Sequence, residues 1–198
     1  MLLDQLKHYD VVLASGSPRR KQLLAEMDIS FRVFTKPVME VFPQGLSPEE
    51  TAVYLSRLKS VAFSANELSE NTLLITADTV VALDGQVLGK PQNAQRAMEM
   101  LKSLGGHQHE VVTGVCLRLG EKQKTFSATT HVWFHPLSDE DIRYYVTHYK
   151  PFDKAGAYGI QEWIGHAAIR KIEGSYFNVM GLPTHKLYRE LSAFIGQD

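Results

Sequence analysis

The 198-residue chain has one cysteine, so an internal disulfide is excluded. Cys116 lies in the apolar run VVTGVCL and reads as a small buried hydrophobe, in keeping with a reducing cytoplasm. No window approaches the roughly 18 apolar residues of a membrane-spanning helix. The first residues, MLLDQLKHYD, carry an acid early and no long apolar core, so no secretory leader is expected. Neither sign of charge is in excess: the formal net charge is -1, which gives no electrostatic case for nucleic-acid or membrane binding. The eight histidines never fall into HExxH or a Cys/His zinc spacing. The phosphate-binding pattern GxxxxGK[ST] and the dinucleotide pattern GxGxxG are both missing. There are no internal repeats and no low-complexity segment. What remains is an ordinary globular composition, 44% apolar and 22% charged, of a length that suits a single domain over residues 1–198.

Strand and helix patterns alternate along this chain. Residues 9–14 read as a buried strand, followed by a helix from Pro18 to Met27 with Ser17 as cap and Pro18 at its first position. FRVFT at 31–35 alternates like a second strand. SPEE at 47–50 is a capping box, and its helix is expected to reach Glu67 with Ala52, Leu55, Lys59 and Ala62 along one face. TLLITADTVVAL (72–83) is a long apolar strand broken by one acid, and Asp84-Gly85 turns it into the short return strand QVLG. A helix over 93–104 should bury Ala94, Ala97, Met98 and Leu101. HEVVTGVCLRL and KTFSATTHVWFH form an antiparallel pair around Gly120, SDEDIRYYVTHY a capped helix, 155–173 Gly-rich strand-like pieces, and GLPTHKLYRELSAFI a closing amphipathic helix. The fold class is therefore α/β with a mixed sheet. His107 and His109 share a strand face and read as solvated, and Tyr144, Tyr145 and Tyr149 fit helix packing.

Four places carry chemistry. In VVLASGSPRRKQLL a hydroxyl-rich turn opens a helix. Ser15, Ser17, the helix amides and the forks of Arg19 and Arg20 make either a phosphate cradle or a well-capped surface helix with solvated arginines. Asp78 interrupts the apolar strand, where an acid needs a cation, a metal or a hydrogen-bond network. Thr79 follows on the opposite strand face. Lys90 in LGKP returns towards Asp78, to hold phosphate, to neutralise the carboxylate or to lie solvated in a loop. In FDKAGAYGIQ, the small residues allow close backbone approach, Asp153 and Lys154 bring charge, and the Gln161 amide can read a base edge. Taken alone, that segment is equally a Gly-rich turn. Glu40, in a Pro-rich loop, is by itself an ordinary exposed acid.

LASGSPRRKQLL, ADTVV, GKP, VVTGV, DKAGAYGIQ and GSYFNVMGLP occur here in the order seen in the Maf family of nucleoside triphosphate pyrophosphatases. The resemblance runs from about Val12 to the last helix. The chain resembles the dTTP/UTP pyrophosphatase branch: Arg19, Thr79 and Gln161 stand where the 7-methyl-GTP branch has Trp, Gln and Glu. What this implies is hydrolysis between the α and β phosphates of a pyrimidine nucleoside triphosphate, with a divalent cation (magnesium, manganese or cobalt). Asp78 matches the proton acceptor and a metal position, and Arg19, Thr79 and Gln161 match the specificity positions. Ser15, Arg20, Lys59, Lys90 and Lys154 match positions around the phosphates, and Glu40 a metal position. Glu40 and Lys59 sit in KPVMEVF and LSRLKS, which fit the pattern loosely, and EWIG after Gln161 is bulkier than expected, so the pocket wall near Trp163 should differ. The implied fold is the elongated mixed α/β fold shared with inosine triphosphate pyrophosphatases, two lobes around a cleft, commonly a homodimer in the cytoplasm. A non-catalytic nucleotide-binding regulator of cell division is the alternative.

Overall fold

The computed structural model describes residues 1–196. Its seven-stranded sheet is mixed. β1 (Asp10–Leu13) runs parallel to β2 (Arg32–Val33) on one side and to β3 (Thr72–Leu83) on the other. From there the ladder is antiparallel: β3 with β4 (Gln86–Leu88) and β5 (Gln108–Leu119), β5 with β6 (Lys122–Phe134), and β6 with β7 (Ile169–Glu173). The helices are α1 (Leu2–Leu6), α2 (Pro18–Ala25), α3 (Pro48–Val61), α4 (Ala94–Leu104), α5 (Asp139–Tyr149), α6 (Trp163–Ala168), α7 (Tyr176–Met180) and α8 (Thr184–Ile195). Among the described residues, no helix is long and apolar enough to cross a membrane.

The caps expected from sequence form. Ser17 accepts the Arg20 amide, and Ser47 with Glu50 closes a reciprocal capping box at α3. Ser138 with Asp141 does the same at α5. β3 spans the whole run TLLITADTVVAL, and its period of two sorts the side chains. Leu73, Ile75, Ala77 and Val81 enter the main core, while Leu74 and Val80 join two smaller clusters on the other face, one of them beneath Ala52 and Leu55 of α3.

Several expectations need correction. α3 stops at Val61, and a separate 3-10 turn covers Ala65–Glu67. The Ser64 amide donates to the Glu67 carboxylate at 2.9 Å, a local bond that competes with helix propagation. FRVFT gives a two-residue exposed edge strand. The buried stripe of α4 is Ala97, Met100, Leu101 and Leu104, with Met98 partly buried at its edge and Ala94 exposed, because the spacing 97, 100, 101, 104 keeps one face towards the core. Residues 155–173 hold a 3-10 turn and α6 before β7. The short helices α1, α6 and α7 lack the sustained apolar periodicity that sequence patterns detect. His109 is 1% exposed, with its Nε2 2.8 Å from the Tyr158 hydroxyl and its ring edge-on to Phe134.

One feature of the ladder positions the site. β1 accompanies β3 only over Thr72–Ile75, and β4 rejoins the same edge at Val81–Leu83. Between them that edge of β3 has no strand beside it. The opening lies just past the carboxyl end of β1, the usual location for ligands in open sheets that contain parallel strands.

Candidate active site

A cavity of about 460 Å³ occupies that opening. Ser15, Arg19, Arg20, Glu40, Lys59, Asp78, Thr79, Lys90, Lys154 and Gln161 all line it. The open edge explains how adjacent strand residues on opposite faces both reach the cavity. Asp78 faces α3, where Lys59 donates to its Oδ1. Thr79 faces α2, where its hydroxyl meets Arg20 Nη2 at 2.9 Å, and it meets Thr113 Oγ1 of the neighbouring strand β5 at 2.9 Å.

The polar groups divide into two linked sets. In the first, Lys59 bridges Asp78 and Glu40, lying 2.8 Å from Glu40 Oε1, and Lys90 holds Glu40 Oε2 at 3.0 Å. Burial pushes the Glu40 carboxyl up, but its contacts with Lys59 and Lys90 outweigh this and bring it to about 2. Glu40 is exposed, as expected of a loop acid, but it is tied to two cations. Arg20 completes the set: its Nε donates to the Gly181 carbonyl at 2.7 Å and its Nη1 to Ser15 Oγ at 3.4 Å. Burial lowers the Arg20 pKa, and the nearby Asp78 charge opposes the shift. Here three cations face two carboxylates, beside the first-turn amides of α2, whose positive dipole end adds to the excess.

The second set has no excess. Arg19 Nη1 lies 3.3 Å from Asp153 Oδ2, Asp153 Oδ1 lies 2.8 Å from Lys154 Nζ, and Lys154 lies 3.1 Å from Glu162 Oε1. Burial raises the Asp153 carboxyl, yet Lys154 and Arg19 hold it below its ordinary value. Gln161 adjoins this set, and its buried Oε1 has no hydrogen-bond partner.

Sequence reading missed several contributors. Thr113 braces Thr79 and donates to the Asn178 carbonyl at 3.2 Å, and Gly181 supplies the carbonyl that orients Arg20. Tyr145 donates to Glu162 and accepts the Gly159 amide at 3.0 Å. Thr113 and Gly181 lie in the quoted motifs VVTGV and GSYFNVMGLP, which was the available signal. Trp163 does not line the cavity. It packs edge-on to Tyr144, with ring centroids 5.0 Å apart, so the bulk of EWIG falls outside the pocket wall.

Two carboxylates facing the cavity are a donor set for a hard divalent cation that takes its remaining ligands from phosphate and water. The Lys59 ammonium already touches both of them, so a positive charge fits between Asp78 and Glu40. Among the described residues, no group of three or more His, Cys, Asp or Glu could hold a metal by itself.

Residues 10–194 match the family model described as Maf-like protein. The chain is 52% identical over 98% of its length to a "dTTP/UTP pyrophosphatase" of Porphyromonas gingivalis, covering 98% of that protein. It is 48% identical over 98% of its length to one of Christiangramia forsetii, covering 99%. Among solved structures, that of the Staphylococcus aureus Ham1 protein is a loose likeness: TM-score 0.40, 18% identity, 63% of this chain and 71% of that one. On the matched span and these identities, the chain belongs to the Maf family.

Proposed function

We propose that the protein hydrolyses dTTP and UTP to the nucleoside monophosphate and pyrophosphate. Its relatives bear that activity in their names, but the observation that carries the reading is local. Asp78, 7% exposed in an apolar strand, borders an open cavity in which Arg20, Lys59 and Lys90 outnumber their neighbours Asp78 and Glu40. A nucleoside triphosphate carries about four negative charges near neutral pH, and phosphoryl transfer asks a protein mainly for positioning and charge neutralisation. Arg20, Lys59, Lys90, Ser15 and the amides opening α2 bind the phosphate chain. Asp78 accepts the proton of the attacking water. Arg19, Thr79 and Gln161 read the pyrimidine. Asp78 and Glu40 hold the divalent cation, magnesium, manganese or cobalt, which when bound supplies charge neutralisation and polarises the phosphoryl oxygens. A homodimer in the cytoplasm belongs to the same reading.

The test is product analysis on a panel of dTTP, UTP, CTP and GTP with manganese, with and without chelator. Pyrophosphate and monophosphate should form chiefly from dTTP and UTP, and only with metal. Orthophosphate and a diphosphate as products overturn the bond assignment. A protein that binds these nucleotides without any turnover is a regulator instead.

A further inference from the structure

We infer that Thr113 is a positioning residue: it fixes the direction of the Thr79 hydroxyl, and through that hydroxyl it holds the Arg20 guanidinium ready for the phosphate chain. The inference rests on the phosphate-binding role proposed for Arg20.

A threonine hydroxyl has one proton to give and two lone pairs to accept with. Arg20 Nη2 can only donate, so the Thr79 oxygen accepts from it at 2.9 Å. The Asn178 carbonyl can only accept, so Thr113 donates its proton there at 3.2 Å. Thr113 then has no proton left for Thr79, its cross-strand partner. The 2.9 Å contact between the two hydroxyls is therefore a bond donated by Thr79 to Thr113. The opposite direction is poorer. It would leave the Thr79 proton only the Gly181 carbonyl, which is 3.5 Å away and already takes Arg20 Nε at 2.7 Å, and would deprive the Asn178 carbonyl of the Thr113 proton. Thr79 thus turns its proton into the sheet and a lone pair to Arg20.

The far end of this row is pinned. Asn178 is fully buried, and its side-chain amide donates to the Val111 carbonyl and to Thr130 Oγ1, both at 3.0 Å. The Ser175 amide donates to Thr130 Oγ1 at 3.1 Å, and that hydroxyl donates to the Ser175 carbonyl at 3.2 Å. These bonds fasten α7 to β5 and β6, and Gly181, at the end of α7, supplies the carbonyl for Arg20 Nε. A planar guanidinium gripped at both Nε and Nη2 is fixed in plane and direction. Thr113 itself is fully buried and does not line the cavity, so its effect on a ligand must pass through Thr79 and Arg20. Without the Thr113 oxygen, the Thr79 proton turns to the Gly181 carbonyl and competes there with Arg20 Nε.

The test is steady-state kinetics with UTP and manganese on the native protein, Thr113→Val, Thr113→Ala and Thr113→Ser, each repeated in an Arg20→Gln background. The first two substitutions remove the hydroxyl and the third keeps it. We expect KM about five- to tenfold higher in Thr113→Val and Thr113→Ala, with kcat per folded molecule within about twofold, and KM within about twofold of native in Thr113→Ser. A partly unfolded fraction reduces the amount of active enzyme and leaves KM alone, so a destabilised variant still reports. In the Arg20→Gln background, Thr113→Val should change KM less than about twofold, because the two residues act as one unit. A native KM in both Thr113→Val and Thr113→Ala overturns the inference, as does a rise in KM that persists undiminished with Arg20→Gln. Thr113→Ser behaving like Thr113→Val overturns it too. Arg20→Gln with a native KM overturns instead the role of Arg20 in binding phosphate.

Discussion

Asp78 and Gly114 are cross-strand partners in the β3–β5 ladder, and the side chain that Gly114 lacks is what lets α3 bring Lys59 onto Asp78. A Cβ on Gly114 would collide with the Ala52 backbone and lie 2.5 Å from Val53 N. Gly114→Ala should therefore lift α3 from the sheet and cost roughly 2–4 kcal/mol, with turnover lost in parallel because Lys59 leaves Asp78. Denaturant unfolding and an assay below the melting transition check both. Unaltered stability would show that the helix does not press on that point.

Asp78→Asn should lower kcat roughly 10²–10⁴-fold while UTP still binds, since the cations that hold the phosphates remain. Calorimetry with UTP measures the second half. A mutant as active as its parent shows that another group takes the proton.

Lys90 has a different profile. Its side chain is 52% exposed and contacts Glu40 alone among the carboxylates. Lys90→Ala should leave the melting temperature within about 1 °C, as exposed ion pairs contribute little, yet raise KM for UTP several-fold. A large loss of stability with unchanged KM would make Lys90 a structural residue.

Metal binding should depend on nucleotide. With only Asp78 and Glu40 as protein donors, and Lys59 against both, Mn²⁺ should bind at least about tenfold more tightly when UTP is present, as read by the loss of free-ion EPR signal. Glu40→Gln should weaken that ternary binding. Equal Mn²⁺ affinity with and without nucleotide contradicts a shared site.

His109 gives a pH signature in stability. Burial lowers its pKa from 6.5 to about 4, so the unfolded chain binds its proton first as pH falls. The stability due to neutral His109 is complete above about 6.5, declines between 6.5 and 4, and is gone below 4, a loss of roughly 3 kcal/mol. His109→Gln should flatten that part of the urea-midpoint curve. An identical slope in the mutant would assign the decline to other groups.

Much of this protein was legible in the residue order. The extent of β3, the caps at Ser17, Ser47 and Ser138 and the β5–β6 hairpin follow from signals a few residues long, namely alternation, capping chemistry and turn residues, and so does Asp78 as an acid in an apolar run, whereas Glu40 and Lys59 among the residues lining the cavity were legible only through the family resemblance. Such signals are local, so the chain states them without needing its fold. The uncovered edge of β3, the approach of α3 over Gly114, the neutral quartet of Arg19, Asp153, Lys154 and Glu162, and the burial of His109 against Tyr158 were decided only by tertiary structure. Each depends on which distant segments become neighbours, and a lysine or histidine carries the same letter whether it meets water, a carboxylate or a tyrosine. The sequence by itself determined which chemical groups the site contains; packing determined which of them neutralise each other and which stay free for a ligand.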